Sequence, residues 1–162
     1  MASHKNPRID PVLLKDPFHC LSLGFGTGLA STAPGTFGTL IGIPLFLLMK
    51  PLSIEVYCLV SLILFIFGIW LCERTANKLE VHDHPGIVWD EVVGYAVTMI
   101  IAPNGWMWVL IGFILFRIFD VWKPWPIRLI DQKVTGGLGI MLDDLIAGIF
   151  ALISMQILVV LM

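Results

Sequence analysis

Residues 136–162 read GGLGIMLDDLIAGIFALISMQILVVLM, and this stretch decides the fold class. Its apolar run, residues 145–162, approaches the roughly 20 residues that a helix needs to cross the ~30 Å hydrocarbon core of a membrane. Two acids, Asp143 and Asp144, open that run. Acids beside hydrocarbon are costly and are usually retained for function. The stretch therefore predicts a membrane helix with functional carboxylates at its mouth.

Other apolar runs lie upstream, over residues 37–49, 54–72, 92–102 and 106–119. Only the second of these has a comparable length, and the last two are short unless their helices include the polar motifs at their ends. In that case one helix starts near Gly86 and the next runs to about Lys123. We therefore predict an all-α fold, a polytopic membrane bundle of about five hydrophobic helices. A water-soluble bundle of very apolar helices is the alternative.

The composition supports this class. Of the 162 residues, 57% are hydrophobic and 14% are charged, whereas an ordinary soluble domain is about 25% charged. Length and uniform composition predict a single membrane-embedded domain over residues 1–162, with a polar N-terminal tail over residues 1–17. The three cysteines form no CxxC motif and imply no disulfide framework.

The basic residues predict the orientation of the spans. With five spans and a cytoplasmic N-terminus, nine of the ten Lys and Arg residues lie inside and only Lys50 lies outside, as the positive-inside rule favours. Eleven of the twelve acids fall on the same inner side, with Glu55 as the exception. We therefore expect a multi-pass protein with a cytoplasmic functional face and an external C-terminus.

The segment VHDHPGIVWDE, residues 81–91, is the first candidate site. His82 and His84 could bind zinc only with further ligands, and neither a Cys nor a third His is near. Carboxylates such as Asp90 and Glu91 favour magnesium or manganese instead. The alternatives are a solvated turn for His-Asp-His and a negative helix start that complements the helix dipole for the acidic doublet.

The spacing of small residues suggests how the acids meet. Gly94 lies four residues after Asp90, and Gly148 lies four residues after Asp144. Small residues on the face of an acid allow helices to pack closely beneath it, so helices could converge with their acids at one level. Because adjacent helix residues face different ways, we expect one acid of each doublet to contact metal and its neighbour to support it. Ordinary packing glycines are the alternative.

The segment RIFDVWKPWPIR starts at Arg117 and is the second candidate site. Arg117 and Asp120 are i, i+3 neighbours that can pair, and Lys123 continues their face. Arg gives a phosphate two hydrogen bonds and Lys gives it a point charge. The two tryptophans suit the headgroup belt. A basic anchor with an aromatic belt is the alternative, although an anchor alone would not require Asp120.

Two glycine-rich segments complete the set of candidates. TGGLGIMLDD, residues 135–144, could let backbone amides approach a phosphate, but it matches neither GxGxxG nor Walker A, and a flexible turn is equally compatible. PGTFGTL precedes the first apolar run, and Thr36 in it is a plausible N-cap. The sequence contains no GxSxG elbow, no DxDx[TV] signature and no Cys followed by Arg at phosphatase-loop spacing.

Together, HDHPGIVWDE, RIFDVWKPWPIR, GGLGIMLDDLIAG and PGTFGTL resemble the phosphatidylglycerophosphatase A family, from about Phe18 to about Gly148. The resemblance implies a Mg²⁺-dependent lipid phosphatase of the bacterial inner membrane. Such an enzyme hydrolyses phosphatidylglycerol phosphate to phosphatidylglycerol and inorganic phosphate in phospholipid biosynthesis. The family pattern gives importance to the following positions: Thr36, Asp90, Glu91, Asp120, Lys123, Asp143 and Asp144.

The individual roles that we expect follow from side-chain chemistry. One or two Mg²⁺ ions would be held by Asp90, Glu91, Asp143 and Asp144. Arg117 and Lys123, with Thr36, would bind the substrate phosphate. Asp120 would bind metal or orient those cations. His82 or His84 would protonate the leaving glycerol oxygen.

Other readings stay open at this point. A transporter could use the acids as a proton or ion relay, although it should place them along a path at mid-depth. A CDP-alcohol phosphotransferase would need a DG…AR…G…D…D pattern, which is missing. We expect a lipid substrate and a bilayer as partners, and no nucleic acid. The residues are compatible with one or two metal ions, with direct water attack or a covalent phospho-aspartyl step, with several lipid phosphates and with any oligomeric state.

Overall fold

The computed structural model describes residues 9–81 and 83–162, and these residues form helices and no strands, which confirms the all-α class. Two short 3-10 helices cover Pro11–Lys15 and Gly24–Leu29. The α-helices, in chain order, are α1 (Pro17–Ser22), α2 (Pro34–Met49), α3 (Ile54–Leu79), α4 (Trp89–Thr98), α5 (Trp106–Trp122), α6 (Ile127–Lys133) and α7 (Gly136–Leu161).

The five apolar runs lie on α2, α3, α4, α5 and α7. Helix α4 begins at Trp89 rather than near Gly86, and it ends at Thr98, before the run of residues 92–102 is complete. The other helices extend beyond their runs into the neighbouring motifs. The extension is largest for α7, which begins at Gly136, so Asp143 lies about two turns inside it rather than at its mouth. A long-range contact explains this start, because the carboxylate of Glu73 on α3 accepts a hydrogen bond from the Gly137 amide. A side chain on Gly137 would collide with the Ile69 carbonyl oxygen, so the close approach of α3 needs glycine there.

The bundle alternates in direction between two ends. A cavity at one end brings together Lys50 and Leu52, which connect α2 to α3, and Asn104, which lies between α4 and α5. Gln156 near the end of α7 donates a hydrogen bond to the Ile101 carbonyl oxygen at that same end. The starts of α2 and α4 and the end of α5 lie at the opposite end, where the predicted functional residues are found.

Helix α4 is the centre of the bundle. It contacts α2, α3, α5 and α7, and nine of its residues are buried. Its ten residues span about 15 Å, roughly half of a hydrocarbon core. Its carbonyl groups are satisfied from the surrounding helices as well, since the Tyr57 hydroxyl donates to the Ala96 oxygen at 2.8 Å. The first turn of α4 is thereby held inside the protein at a fixed depth.

Glycines bring α4 and α7 into close contact, as the spacing of the sequence predicted. A Cβ atom on Gly148 would lie 2.5 Å from the Gly94 carbonyl oxygen. A Cβ atom on Gly94 would lie 2.6 Å from the Phe116 ring of α5. Any side chain at these two positions would push the helices apart, and with them the acids one turn above.

Two helices, α3 and α7, are long and apolar enough to cross a membrane, and α2 is apolar but shorter. Large apolar side chains also face outward on these helices, including Leu62 and Ile66 on α3 and Ile153 and Ile157 on α7. Extensive exposed apolar surface is unusual in soluble monomers. These features indicate a membrane-associated protein.

Candidate active site

Three carboxylates converge at one end of the bundle. Asp90 and Glu91 lie in the first turn of α4, and Asp144 reaches the same point from α7. One carboxylate oxygen from each of the three residues lies within 4.8 Å of the other two. Close helix packing at Gly94 and Gly148 explains the convergence, because each glycine lies one turn below an acid of this group.

Each of the three acids has one buried oxygen without a hydrogen-bond partner among the described residues. These oxygens are Asp90 Oδ1, Glu91 Oε2 and Asp144 Oδ2. Buried carboxylates without partners are strongly destabilising unless a cation offsets their charge. Oxygen ligands of this kind suit a hard divalent ion such as Mg²⁺. The donor set therefore fits the predicted metal.

The two acidic doublets do not behave alike. Both acids of the α4 doublet join the group. In the α7 doublet only Asp144 joins it. Asp143 instead pairs with Lys123, with 2.6 Å between its Oδ2 atom and the Lys123 Nζ atom. The two acids of α7 thus have different surroundings, whereas both acids of α4 lie in the group, and the expected division into one ligand and one supporting acid stays a prediction.

Lys123 ends α5 and has a second acidic partner. It adopts the left-handed conformation with φ 44°, which directs the chain away from the helix. Its Nζ atom lies 2.6 Å from the Asp131 carboxylate of α6. Burial disfavours the charged form of Lys123, but the carboxylates of Asp143 and Asp131 outweigh it and raise the pKa of Lys123 above its ordinary value. The ammonium group therefore stays charged at neutral pH.

Arg117 lies on the other side of the same helix end. Its guanidinium donates a hydrogen bond to Asp120 one turn later and lies 3.9 Å from the Glu91 carboxylate. This ion pair is compatible with an Asp120 that orients Arg117, and the choice between its two expected roles stays a prediction. Gly35 at the start of α2 packs directly on this pair, since a Cβ atom there would collide with the Glu91 carboxylate and lie 3.1 Å from Arg117.

These groups surround a cavity of about 220 Å³. Among the described residues, six acids and two bases line it: Asp83, Asp90, Glu91, Asp120, Asp143, Asp144, Arg117 and Lys123. Backbone and apolar atoms of Ala33, Pro34, Gly35, Pro85 and Ile87 complete the wall. The excess of acids over bases is a further reason to expect a bound cation.

One prediction for Thr36 differs from the structure. Thr36 is not the N-cap of α2, because Ala33 occupies that position in a left-handed conformation and accepts a hydrogen bond from the Thr36 amide. Thr36 is also not in the cavity wall, where Pro34 and Gly35 lie instead. Its expected contact with phosphate stays a prediction.

In the His-Asp-His motif, the structure shows a loop contact for His84, whereas the sequence suggested metal binding or proton donation. His84 is buried, and its Nδ1 atom accepts a hydrogen bond from the Gly86 amide at 3.0 Å. This contact shapes the loop before α4, and His84 is not in the cavity wall. Its role as proton donor stays a prediction, and His82 lies outside the described residues.

Sequence reasoning missed two acids of this region, Asp83 and Asp131. Asp83 lies in the cavity wall beside the carboxylate group, and Asp131 borders a smaller cavity with Asp83 and Asp143. The signal for Asp83 was present, since it stands between the two histidines of the first motif. No spacing rule pointed to Asp131, because α6 is a short helix that follows a proline-rich break.

The sequence that forms this site matches a known family. A family model described as Phosphatidylglycerophosphatase A matches residues 20–159. The chain belongs to the phosphatidylglycerophosphatase A family. This membership confirms the resemblance drawn from the motifs and assigns the chain to the phosphatases that act on phosphomonoesters.

Relatives match this chain over most of their length. Phosphatidylglycerophosphatase A of Escherichia coli (strain K12) is 46% identical over 149 residues, which cover 91% of this chain and 87% of that protein. The protein of the same name from Haemophilus influenzae (strain Rd) is 42% identical, with 92% and 93% covered. A Bacteroides thetaiotaomicron relative provisionally named phosphatidylinositol-3-phosphatase is 36% identical, with 94% and 96% covered. No solved structure matches the chain.

Proposed function

We propose that this protein is a Mg²⁺-dependent lipid phosphatase that hydrolyses phosphatidylglycerol phosphate to phosphatidylglycerol and inorganic phosphate during phospholipid biosynthesis. The observation that carries the proposal is the group of buried, unpartnered oxygens of Asp90, Glu91 and Asp144. It shares one cavity with Arg117 and Lys123. A cation site beside two bases is the combination that a phosphomonoester dianion needs.

The carboxylates of Asp90, Glu91 and Asp144 would hold the cation. When bound, the cation activates water and offsets negative charge on the phosphoryl oxygens. Asp143 is needed elsewhere, because it fixes Lys123. This division of labour differs from the four-carboxylate metal site expected from the sequence, since only Asp144 of the second doublet adjoins the α4 acids.

The remaining charged residues position the substrate. Lys123 and Arg117 would bind nonbridging phosphoryl oxygens, with Asp143 and Asp120 holding each base in place. Water then attacks phosphorus, the bond from phosphorus to the glycerol oxygen breaks, and that oxygen takes up a proton as phosphatidylglycerol leaves. The start of α2 at Pro34 and Gly35 adds the positive end of a helix dipole to the phosphate side of the cavity.

The proposal includes a multi-pass topology in the bacterial inner membrane, with the active site facing the cytoplasm. The alternation of α2, α3, α4, α5 and α7 between two bundle ends supports it. The acyl chains would stay in the bilayer while the headgroup enters the cavity. Exposed Trp122 and Trp125 lie beside the site, at the level that the headgroup belt would occupy.

A topology measurement can test this arrangement without any activity assay. A reporter fused after Met162 should read as external, and a reporter placed before α2 should read as cytoplasmic. A cytoplasmic signal from the C-terminal fusion would remove a span or reverse the protein.

The activity is tested with the purified full chain in mixed micelles. Phosphate release should be fastest from phosphatidylglycerol phosphate when it is compared with phosphatidylinositol 3-phosphate and phosphatidate, and it should require Mg²⁺. The second lipid is included because of the name of the Bacteroides relative. A preference for another lipid would correct the substrate, and no release from any lipid would refute the phosphatase. The transporter alternative has less support, because the site acids cluster at one end of the bundle rather than along a path.

A further inference from the structure

One acid next to the cavity has no place in the mechanism above. Asp131 lies on α6, and its Oδ1 atom is 2.6 Å from the Lys123 Nζ atom. Asp143 lies at the same distance from the same Nζ atom, but on α7. Lys123 itself ends α5, so three separate helices meet at this one ammonium group.

The geometry leaves one part of the ammonium group for substrate. An ammonium group carries three N–H donors, and the two carboxylates use two of them. Lys123 lines the main cavity, whereas Asp131 borders a smaller cavity and does not line the main one. With two donors taken by Asp131 and Asp143, the third is left for a phosphate in the main cavity.

The two acids are not equivalent in this contact. The Asp143 side chain is 7% exposed and lies next to the carboxylate group, whereas the Asp131 side chain is 33% exposed and lies at the edge. If Asp143 were the sole partner, the flexible lysine could turn toward the acids of the metal site and away from phosphate. A second anchor from a different helix restricts the long side chain to one position.

We infer that Asp131 is a positioning residue for catalysis, which holds the Lys123 ammonium group so that it binds the substrate phosphate. The inference rests on the proposed function for the identity of the substrate. The salt bridge between Asp131 and Lys123 does not depend on the proposed function. The short helix α6 then serves mainly to bring Asp131 to the end of α5.

The first test is a double-mutant cycle on phosphatidylglycerol phosphate hydrolysis. D131N, which keeps the shape of the side chain, should lower kcat/KM about tenfold, whereas Q132A, at an exposed neighbour on the same helix, should change it less than twofold. In a K123A background D131N should have almost no further effect, because Asp131 acts through Lys123. Restored activity in D131E would agree with this. Additive losses in the double variant would overturn the inference.

The second test does not require activity. The full chain is treated with a water-soluble acylating reagent, and mass spectrometry gives the rate of Lys123 modification relative to Lys50 in the same molecule. D131N should raise this ratio severalfold, since the amine loses an anchor, and Q132A should leave it unchanged. An unchanged ratio in D131N would overturn the inference. Lack of phosphate release by the parent protein would refute the proposed function alone, and the acylation ratio would still decide the role of Asp131.

Discussion

The two sides of the cavity balance their charges in opposite ways. On the α4 side, Asp90, Glu91 and Asp144 bring buried oxygens together without partners. On the α5 side, each base has at least one close acid, Asp120 for Arg117 and Asp143 for Lys123. We call these the unpaired side and the paired side.

This difference indicates what each side needs from outside the protein. The paired side is already neutralised, so it can exist in the resting enzyme and exchange contacts with a substrate phosphate. The unpaired side accumulates negative charge in a buried place, which costs free energy unless a cation is bound. The same comparison is the reason to propose different roles for two acidic doublets that look alike in the sequence.

Removal of the divalent ion should have the largest effect on activity, because the carboxylates of the unpaired side then repel one another with no cation between them. EDTA should abolish phosphate release, and added Mg²⁺ should restore it. Mg²⁺ should also raise the thermal midpoint of the protein without substrate, since an ion that binds only the native state stabilises it. Full activity in excess chelator would contradict the assignment of the unpaired side.

Neutralising one acid of the unpaired side should have the next largest effect. D90N and D144N should each lower activity at least ~100-fold, about 3 kcal/mol of transition-state stabilisation, because each loses a charged ligand with almost no change in shape. If these residues were only helix caps, Asn would be tolerated, since it caps about as well as Asp.

A stability measurement separates these two explanations. Without Mg²⁺ the thermal midpoint of D90N should equal or exceed that of the parent protein, because one repulsive charge is gone. The increase in thermal midpoint that Mg²⁺ causes in D90N should be much smaller than in the parent protein. A variant that lost activity but kept the full Mg²⁺-dependent increase would show that Asp90 acts in some other way.

Changes on the paired side should have a smaller effect. K123A should lower kcat/KM on the order of 30-fold, about 2 kcal/mol, because one of two bases that bind phosphate is lost. The Mg²⁺-dependent increase in thermal midpoint should persist, since the unpaired side is intact. Loss of that increase in K123A would mean that the two sides do not act separately.

Local patterns in the sequence predicted much of this architecture. The apolar runs gave five of the helices, and the i, i+4 relation between Gly94 and Asp90 indicated close packing under the acids. The features of the architecture that the sequence could not predict depend on contacts between distant residues. The start of α7 depends on Glu73, which lies 64 residues before Gly137. The pairing of Lys123 with Asp131 depends on the path of the chain after α5, which no periodicity describes.

The smallest effect is expected at the end of the bundle away from the cavity. Glu55 is exposed in the first turn of α3, near the connection that carries Lys50. Like D90N, E55Q removes one carboxylate charge, but it does so at a position where water already screens the charge. Its activity and its Mg²⁺-dependent thermal shift should both remain within twofold of those of the parent protein. A large loss of activity in E55Q would mean that activity depends on the total acidic charge of the chain. The difference between the unpaired side and the paired side would then not explain the function.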